Sequence, residues 1–131
     1  LPEEVGLLTK LQSLDLRSNR LARLPDSIGD MKSLVRLDLR SNRLTTFPGT
    51  IGNIKTLKVL YADKNRIKDL PQGMEGLENL EELSLYKNDL TYMPDLFCKT
   101  TNLRKLWLSS NEIEYFPKEI CGALKKLEIL R

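Results

Sequence analysis

LQSLDLRSNRLARLPDSIGDMKS, residues 11–33, carries two different spacings in one short stretch. In its first half Leu14 and Leu16 stand two apart, the period of a strand with one buried face. They point inward, and Ser13, Asp15 and Arg17 point outward. In its second half Leu21, Leu24 and Ile28 come at wider intervals and close a coil. Pro25 lacks a backbone donor and has a fixed φ, so it stops the strand and sets an extended turn. The PxxI segment that follows is expected to form a turn or a short 3₁₀ or α helix on the outer side. Such a unit has one apolar face and cannot bury it alone.

The unit recurs along the chain. All six prolines lie 23 residues apart, at Pro2, Pro25, Pro48, Pro71, Pro94 and Pro117. Asn19, Asn42, Asn65, Asn88 and Asn111 keep the same step, as do Leu11, Leu34, Leu57, Leu80 and Leu103. Full copies of LxxLxLxxNxLxxLPxxI span 11–33, 34–56, 57–79, 80–102 and 103–126, the last one residue longer. Residues 1–10 match the back half of a copy and 127–131 match a strand. The expectation is one array over 1–131 with a partial repeat at each end, cut from a longer array. Among eight positions compared in five copies, only Ala62 breaks the pattern.

Copies in register bury one another's faces and align their strands about 4.8 Å apart. The fold expected is therefore an α/β repeat solenoid. It is an arc with one parallel sheet on the concave face and turns or short helices on the convex face. Strands are expected around 13–17, 36–40, 59–63, 82–86 and 105–109. Leu1, Val5, Leu8, Leu127 and Leu130 belong to the outermost layers. They are expected to be more exposed than Leu24, Ile28, Met31, Leu103 and Leu106.

Across its whole length this pattern resembles the leucine-rich-repeat family. The LPxxI close resembles the intracellular 23-residue class, which includes Ras-pathway scaffolds, erbin-like polarity proteins and the repeat half of flightless-type actin regulators. LFCKTTNLRKLWLSSNEIEYFPKEI, residues 96–120, is similar to the flightless and Ras-scaffold repeats. The resemblance implies that the asparagine side chains bond the backbone of adjacent turns rather than form a polar site. It also implies a small GTPase, a phosphatase or another adaptor as partner, in the cytoplasm, in signalling or actin regulation.

Composition narrows the chemistry. With 40% hydrophobic and 30% charged residues the chain is a folding sequence, and no apolar run approaches the ~20 residues of a membrane helix. A net charge of +3 is too small to imply nucleic acid. Histidine is absent, which removes the commonest general base and transition-metal ligand, and two cysteines cannot build a four-thiolate zinc site. There is no Gly-rich phosphate loop and no nucleophile elbow. Asp15 and Asp38 stack about 5 Å apart, but an open sheet face is expected to offer them no water-excluding pocket. No catalytic residue, metal or cofactor is expected, and the protein is not expected to be an enzyme. Cys98 and Cys121, one period apart, are expected to be reduced thiols, and no N-x-S/T sequon occurs, in keeping with a cytoplasmic protein.

The outward strand positions are where the copies differ. One column reads Asp15, Asp38, Tyr61, Ser84, Trp107, and its neighbour reads Arg17, Arg40, Asp63, Tyr86, Ser109. A third, just past the asparagines, reads Arg20, Arg43, Arg66, Asp89, Glu112. Aromatics and arginine dominate interface hot spots. Tyr61, Tyr86 and Trp107, with Arg17, Arg40, Asp63, Asp15 and Asp38, are therefore the expected concave contact residues for a protein partner. Arg20, Arg43 and Arg66 form the rim. Pairing of Asp15 with Arg17 and of Asp38 with Arg40 neutralises much of the field and argues against a nucleic-acid track. The alternatives are a structural spacer within a longer array and an extracellular recognition ectodomain.

Overall fold

A computed structural model describes the backbone of all 131 residues and every side chain except those of Leu96 and Cys121. The chain winds as an open solenoid. Strands β1 (Ser13–Asp15), β2 (Arg36–Asp38), β3 (Val59–Tyr61), β4 (Glu82–Ser84), β5 (Lys105–Trp107) and β6 (Ile129–Leu130) lie side by side in chain order in one parallel sheet. Each pairs with the next exactly one repeat on: Asp15 faces Asp38, Asp38 faces Tyr61, Tyr61 faces Ser84, and Ser84 faces Trp107. The outward columns of the sequence are thus real rows across the sheet.

The strands occupy only the first part of each expected window. Backbone bonds continue beyond them, as from the Leu16 N–H to the Asp38 carbonyl and from the Ser18 N–H to the Arg40 carbonyl. The ladder then loses regularity because the asparagines take over. The Asn42 amide donates to the carbonyls of Leu16 at 2.9 Å and Leu39 at 3.0 Å, and its oxygen accepts the Leu21 N–H at 3.0 Å. Asn65, Asn88 and Asn111 repeat the arrangement one turn on. This is the structural role the resemblance implied.

The residue before each asparagine carries a left-handed backbone: Ser18, Ser41, Lys64, Lys87 and Ser110 have φ between 55° and 58°. None is glycine. Each position costs of order 1 kcal/mol of strain, held by the asparagine bonds on its C-terminal side.

On the convex side the PxxI segments form 3₁₀ turns at Glu3–Leu7, Asp26–Asp30, Gly49–Asn53, Gln72–Gly76 and Asp95–Cys98, and one short helix, α1 (Lys118–Ala123). Pro2, Pro25, Pro48, Pro71 and Pro117 stand at the N-caps of five of the six, with extended backbones. Between sheet and turns runs a single core with a leucine, isoleucine, methionine or phenylalanine from every repeat position, Ala62 included. The end layers behave mostly as expected. Leu1, Leu8 and Leu130 are 39–50% exposed, against 5% or less for Leu24, Met31 and Leu106. Leu127 is half-buried where Leu103 is fully buried. Val5, at 6% exposed, exceeds Ile28 at 0% by little, because the next convex turn covers it.

Cys98 is a half-buried free thiol, and the expectation for Cys121 falls on a side chain outside the described residues. Among the described residues no helix is long and apolar enough to cross a membrane.

Candidate functional site

Two columns of the concave sheet meet around Ser84. Along the first, Tyr61 and Trp107 stand two strands apart with Ser84 between them. The small serine lets the rings meet edge to face, 6.4 Å between centroids, and it lies buried beneath them. Along the second, Tyr86 stands between Asp63 and Ser109. Large and small residues therefore alternate in both directions. They leave a hollow of about 390 Å³ bounded by Arg40, Tyr61, Asp63, Tyr86, Trp107 and Ser109. An open, pocketless face was the expectation. The alternation of side-chain size creates the depression, and it lies away from Asp15 and Asp38.

Tyr61 is the most heavily held of the three aromatics. The Arg36 guanidinium carbon lies 4.7 Å from its ring centroid and that of Arg40 lies 5.1 Å away, both in cation–π range. Its hydroxyl donates to Glu82 Oε2 at 2.5 Å, and Lys105 Nζ donates to Glu82 Oε1 at 2.7 Å. Burial, then the hydrogen bond and charge of Glu82, raise the Tyr61 phenol above its ordinary range. Burial works against the Glu82 carboxylate, but the bonds from Lys105 and Tyr61 outweigh it and hold the group below its usual value. Tyr86, by contrast, is 39% exposed.

The basic end of the face is built differently from the expectation in one respect. Asp38, expected to face a partner, is only 2% exposed. Arg40 grips it with two bonds of 2.9 and 2.6 Å, and Arg36 and Arg17 approach it at 3.5 and 3.7 Å. A carboxylate ringed by three guanidiniums has no room for a ligand and serves to fix the arginines. Asp15 remains exposed and is paired with Arg17 at 2.7 Å. The side-chain and backbone hydrogen bonds from Arg17 hold Asp15 below the ordinary carboxylate range. Arg20, Arg43 and Arg66 are exposed, and no ion pair engages them among the described residues.

The structure thus brings Tyr61, Tyr86, Trp107, Arg40 and Asp63 around one hollow. Arg17 and Asp15 lie at the far end of the sheet, and Arg20, Arg43 and Arg66 along one border. Arg36, Glu82 and Lys105 were not singled out from the sequence. Their signal was the first outward position of each strand, which reads Ser13, Arg36, Val59, Glu82, Lys105 and carries opposite charges on neighbouring strands β4 and β5. Among the described residues no cluster of acidic, histidine or cysteine side chains is arranged to hold a metal.

A model of the leucine-rich-repeat region matches residues 2–131. Among solved structures, a leucine-rich-repeat protein of Leptospira interrogans is 35% identical with a TM-score of 0.95, over 99% of this chain and 33% of its own. The ectodomain of the Arabidopsis thaliana receptor kinase GASSHO1/SCHENGEN3, in complex with CASPARIAN STRIP INTEGRITY FACTOR 2, is 36% identical with a TM-score of 0.88, over 98% of this chain and 16% of its own. The plant peptide hormone receptor RGFR1, in complex with RGF2, is 27% identical with a TM-score of 0.88, over 99% of this chain and 22% of its own. The chain spans a third or less of each of these neighbours. No curated protein matches the sequence. The fold is in general that of a protein-recognition module rather than of an enzyme. On the repeat pattern, the parallel solenoid and these matches together, the chain belongs to the leucine-rich-repeat family.

Proposed function

We propose that this chain binds a protein partner in its concave face, gripping it at Tyr86 and Trp107 and steering it with Arg20, Arg43 and Arg66. One observation carries the reading. An aromatic hollow lies over β3 to β5 of the sheet, and Arg20, Arg43 and Arg66 form an exposed row on the first three full repeats with no ion pair among the described residues. Buried aromatics supply lifetime, and rim charges supply encounter rate. The setting that fits the LPxxI repeat and the absence of sequons is a cytoplasmic signalling or cytoskeletal scaffold with a small GTPase, a phosphatase or an adaptor as partner. A second reading, an extracellular ectodomain, is supported by the likeness to plant receptor ectodomains solved with their ligands.

Affinity capture with the full protein, followed by surface-binding kinetics, tests the face itself. Trp107→Ala together with Tyr86→Ala should shorten the complex lifetime by about thirtyfold, a hot-spot loss of ~2 kcal/mol. Asp26→Ala and Lys118→Ala, on the convex turns, should change nothing. If the convex changes weaken binding and the concave ones do not, the partner uses the other side.

A further inference from the structure

We infer that the concave hollow takes a basic side chain, an arginine or lysine of an extended peptide segment, with Asp63 as its counter-ion. This rests on the concave-face reading and specifies what one of its subsites accepts. Outside the border column that ends in Asp89 and Glu112, four carboxylates occupy the outward positions of the strands: Asp15, Asp38, Asp63 and Glu82. Three are already neutralised, Asp15 by Arg17 at 2.7 Å, Asp38 by Arg40 at 2.6 Å and Glu82 by Lys105 at 2.7 Å. Asp63 alone has no cation within ion-pairing distance among the described residues. It is half-buried at the edge of the hollow.

Asp63 is also held still. Its Oδ1 accepts the Ser84 hydroxyl and the Tyr86 N–H, the latter at 3.0 Å, and among the described residues no donor takes its Oδ2. Both donors are neutral, so the charge is fixed in place without being cancelled. Tyr61, Tyr86 and Trp107 wall the space beside it. A fixed carboxylate between aromatic faces suits a guanidinium or ammonium, which meets the charge at its head and the rings along its stem. Arg40 and Arg131 line the same hollow; both side-chain bonds of Arg40 go to Asp38, and Arg131 stands beside Trp107 just past β6, three strands from the β3 repeat that carries Asp63.

Trp107 is the only tryptophan of the chain, so its fluorescence reports directly on the hollow. The probes are blocked pentapeptides, glycine at every position except the central one, which carries arginine, citrulline or glutamate. Citrulline keeps the shape of arginine without the charge. The arginine peptide should shift Trp107 emission saturably and bind about tenfold tighter than the citrulline peptide, as loss of one charge-assisted contact implies. Asp63→Asn should abolish that preference while keeping an oxygen for Ser84 and Tyr86, and Asp26→Asn on the convex side should preserve it. The inference is overturned if arginine and citrulline bind alike, if glutamate binds more tightly, if Asp63→Asn keeps the preference, or if the arginine peptide gives no saturable shift up to ~10 mM. The peptide comparison on the unaltered protein decides the matter even if Asp63→Asn folds poorly. Loss of the arginine preference, with Trp107→Ala still shortening the partner complex, removes this subsite and leaves the concave interface standing.

Discussion

Replacing Gly52 by alanine should destabilise the solenoid more than any other single-methyl change on its convex side. A Cβ built on Gly52 lies 1.7 Å from the Gly73 carbonyl oxygen, 2.8 Å from its carbon and 3.3 Å from Gly76 Cα. Ordinary contact needs about 1.5 Å more than the shortest of these. All three neighbours are backbone, so no side chain can swing aside. The turn at Gly49–Asn53 must instead move away from the turn at Gln72–Gly76, loosening the core residues Ile51 and Met74 beneath. Overpacking in a well-filled interior costs ~1–3 kcal/mol, and a backbone-to-backbone clash sits at the top of that range. Gly49, three residues earlier in the same turn, has nothing within 4 Å of its Cβ position and no positive φ. Gly49→Ala should therefore be neutral or stabilise by about 0.5 kcal/mol through the unfolded chain. Urea titration followed by circular dichroism separates the two. With a slope of ~2 kcal/mol per molar, Gly52→Ala should lower the midpoint by about 1.5 M. Midpoints that agree within experimental error would refute the claim that close approach of the convex turns sets their spacing.

The other predictions concern the asparagine ladder and the concave network. Asn65→Ala leaves the buried Leu44 N–H without its partner and takes one of two amide donors from each of the Leu39 and Ala62 carbonyls, which keep Asn42 and Asn88, and should cost ~2 kcal/mol in the same titration. Asn19→Ala, whose side chain is exposed and serves only its own turn, should cost under ~1 kcal/mol. Glu82 has a folded pKa below its unfolded one, so its stabilisation is complete above the ordinary glutamate value and fades as pH falls through the lower folded value. Thermal melts of Glu82→Gln should therefore show lower stability at neutral pH and a flatter decline below about pH 4.3. A variant that keeps the parent's acid slope would mean that Lys105 and Tyr61 do not stabilise the carboxylate. In an ultraviolet titration Tyr61 should ionise only above the ordinary phenol range, and Tyr61→Phe should remove that late component.

The repeating residues and the varying ones were not equally readable. Leucine, asparagine and proline at fixed steps dictate strand, ladder and turn because each answers a local demand that recurs in every copy. The parallel sheet followed from them directly. Asp38 was misplaced because its outward column was read as uniformly exposed. Exposure within a column depends on the neighbours two residues along and one strand over, and here Arg17, Arg36 and Arg40 converge on one carboxylate. The left-handed residues before each asparagine left no mark, since serine and lysine at those positions carry no glycine signature. The convex glycines were equally silent. Gly6, Gly29 and Gly52 keep the 23-residue step, but Glu75 and Cys98 then replace them.

That replacement has a structural consequence. Where glycine holds the step, successive convex turns approach until backbone meets backbone, as at Gly29 against the Thr50 carbonyl, 2.4 Å from a notional Cβ. Glu75 cannot allow this approach. Between the turns at Gln72–Gly76 and Asp95–Cys98 lies a cleft of about 480 Å³ lined by Leu70, Gln72, Glu75, Tyr92, Pro94 and Lys99, with Glu75 and Lys99 paired across it at 2.8 Å. The sheet keeps its register across the same two repeats, from Glu82 to Lys105. The strands that follow the two turns are β4 and β5, which carry Ser84 and Trp107, with Tyr86 two residues past β4. Strand spacing is fixed by hydrogen bonds, but turn spacing is fixed only by side-chain volume.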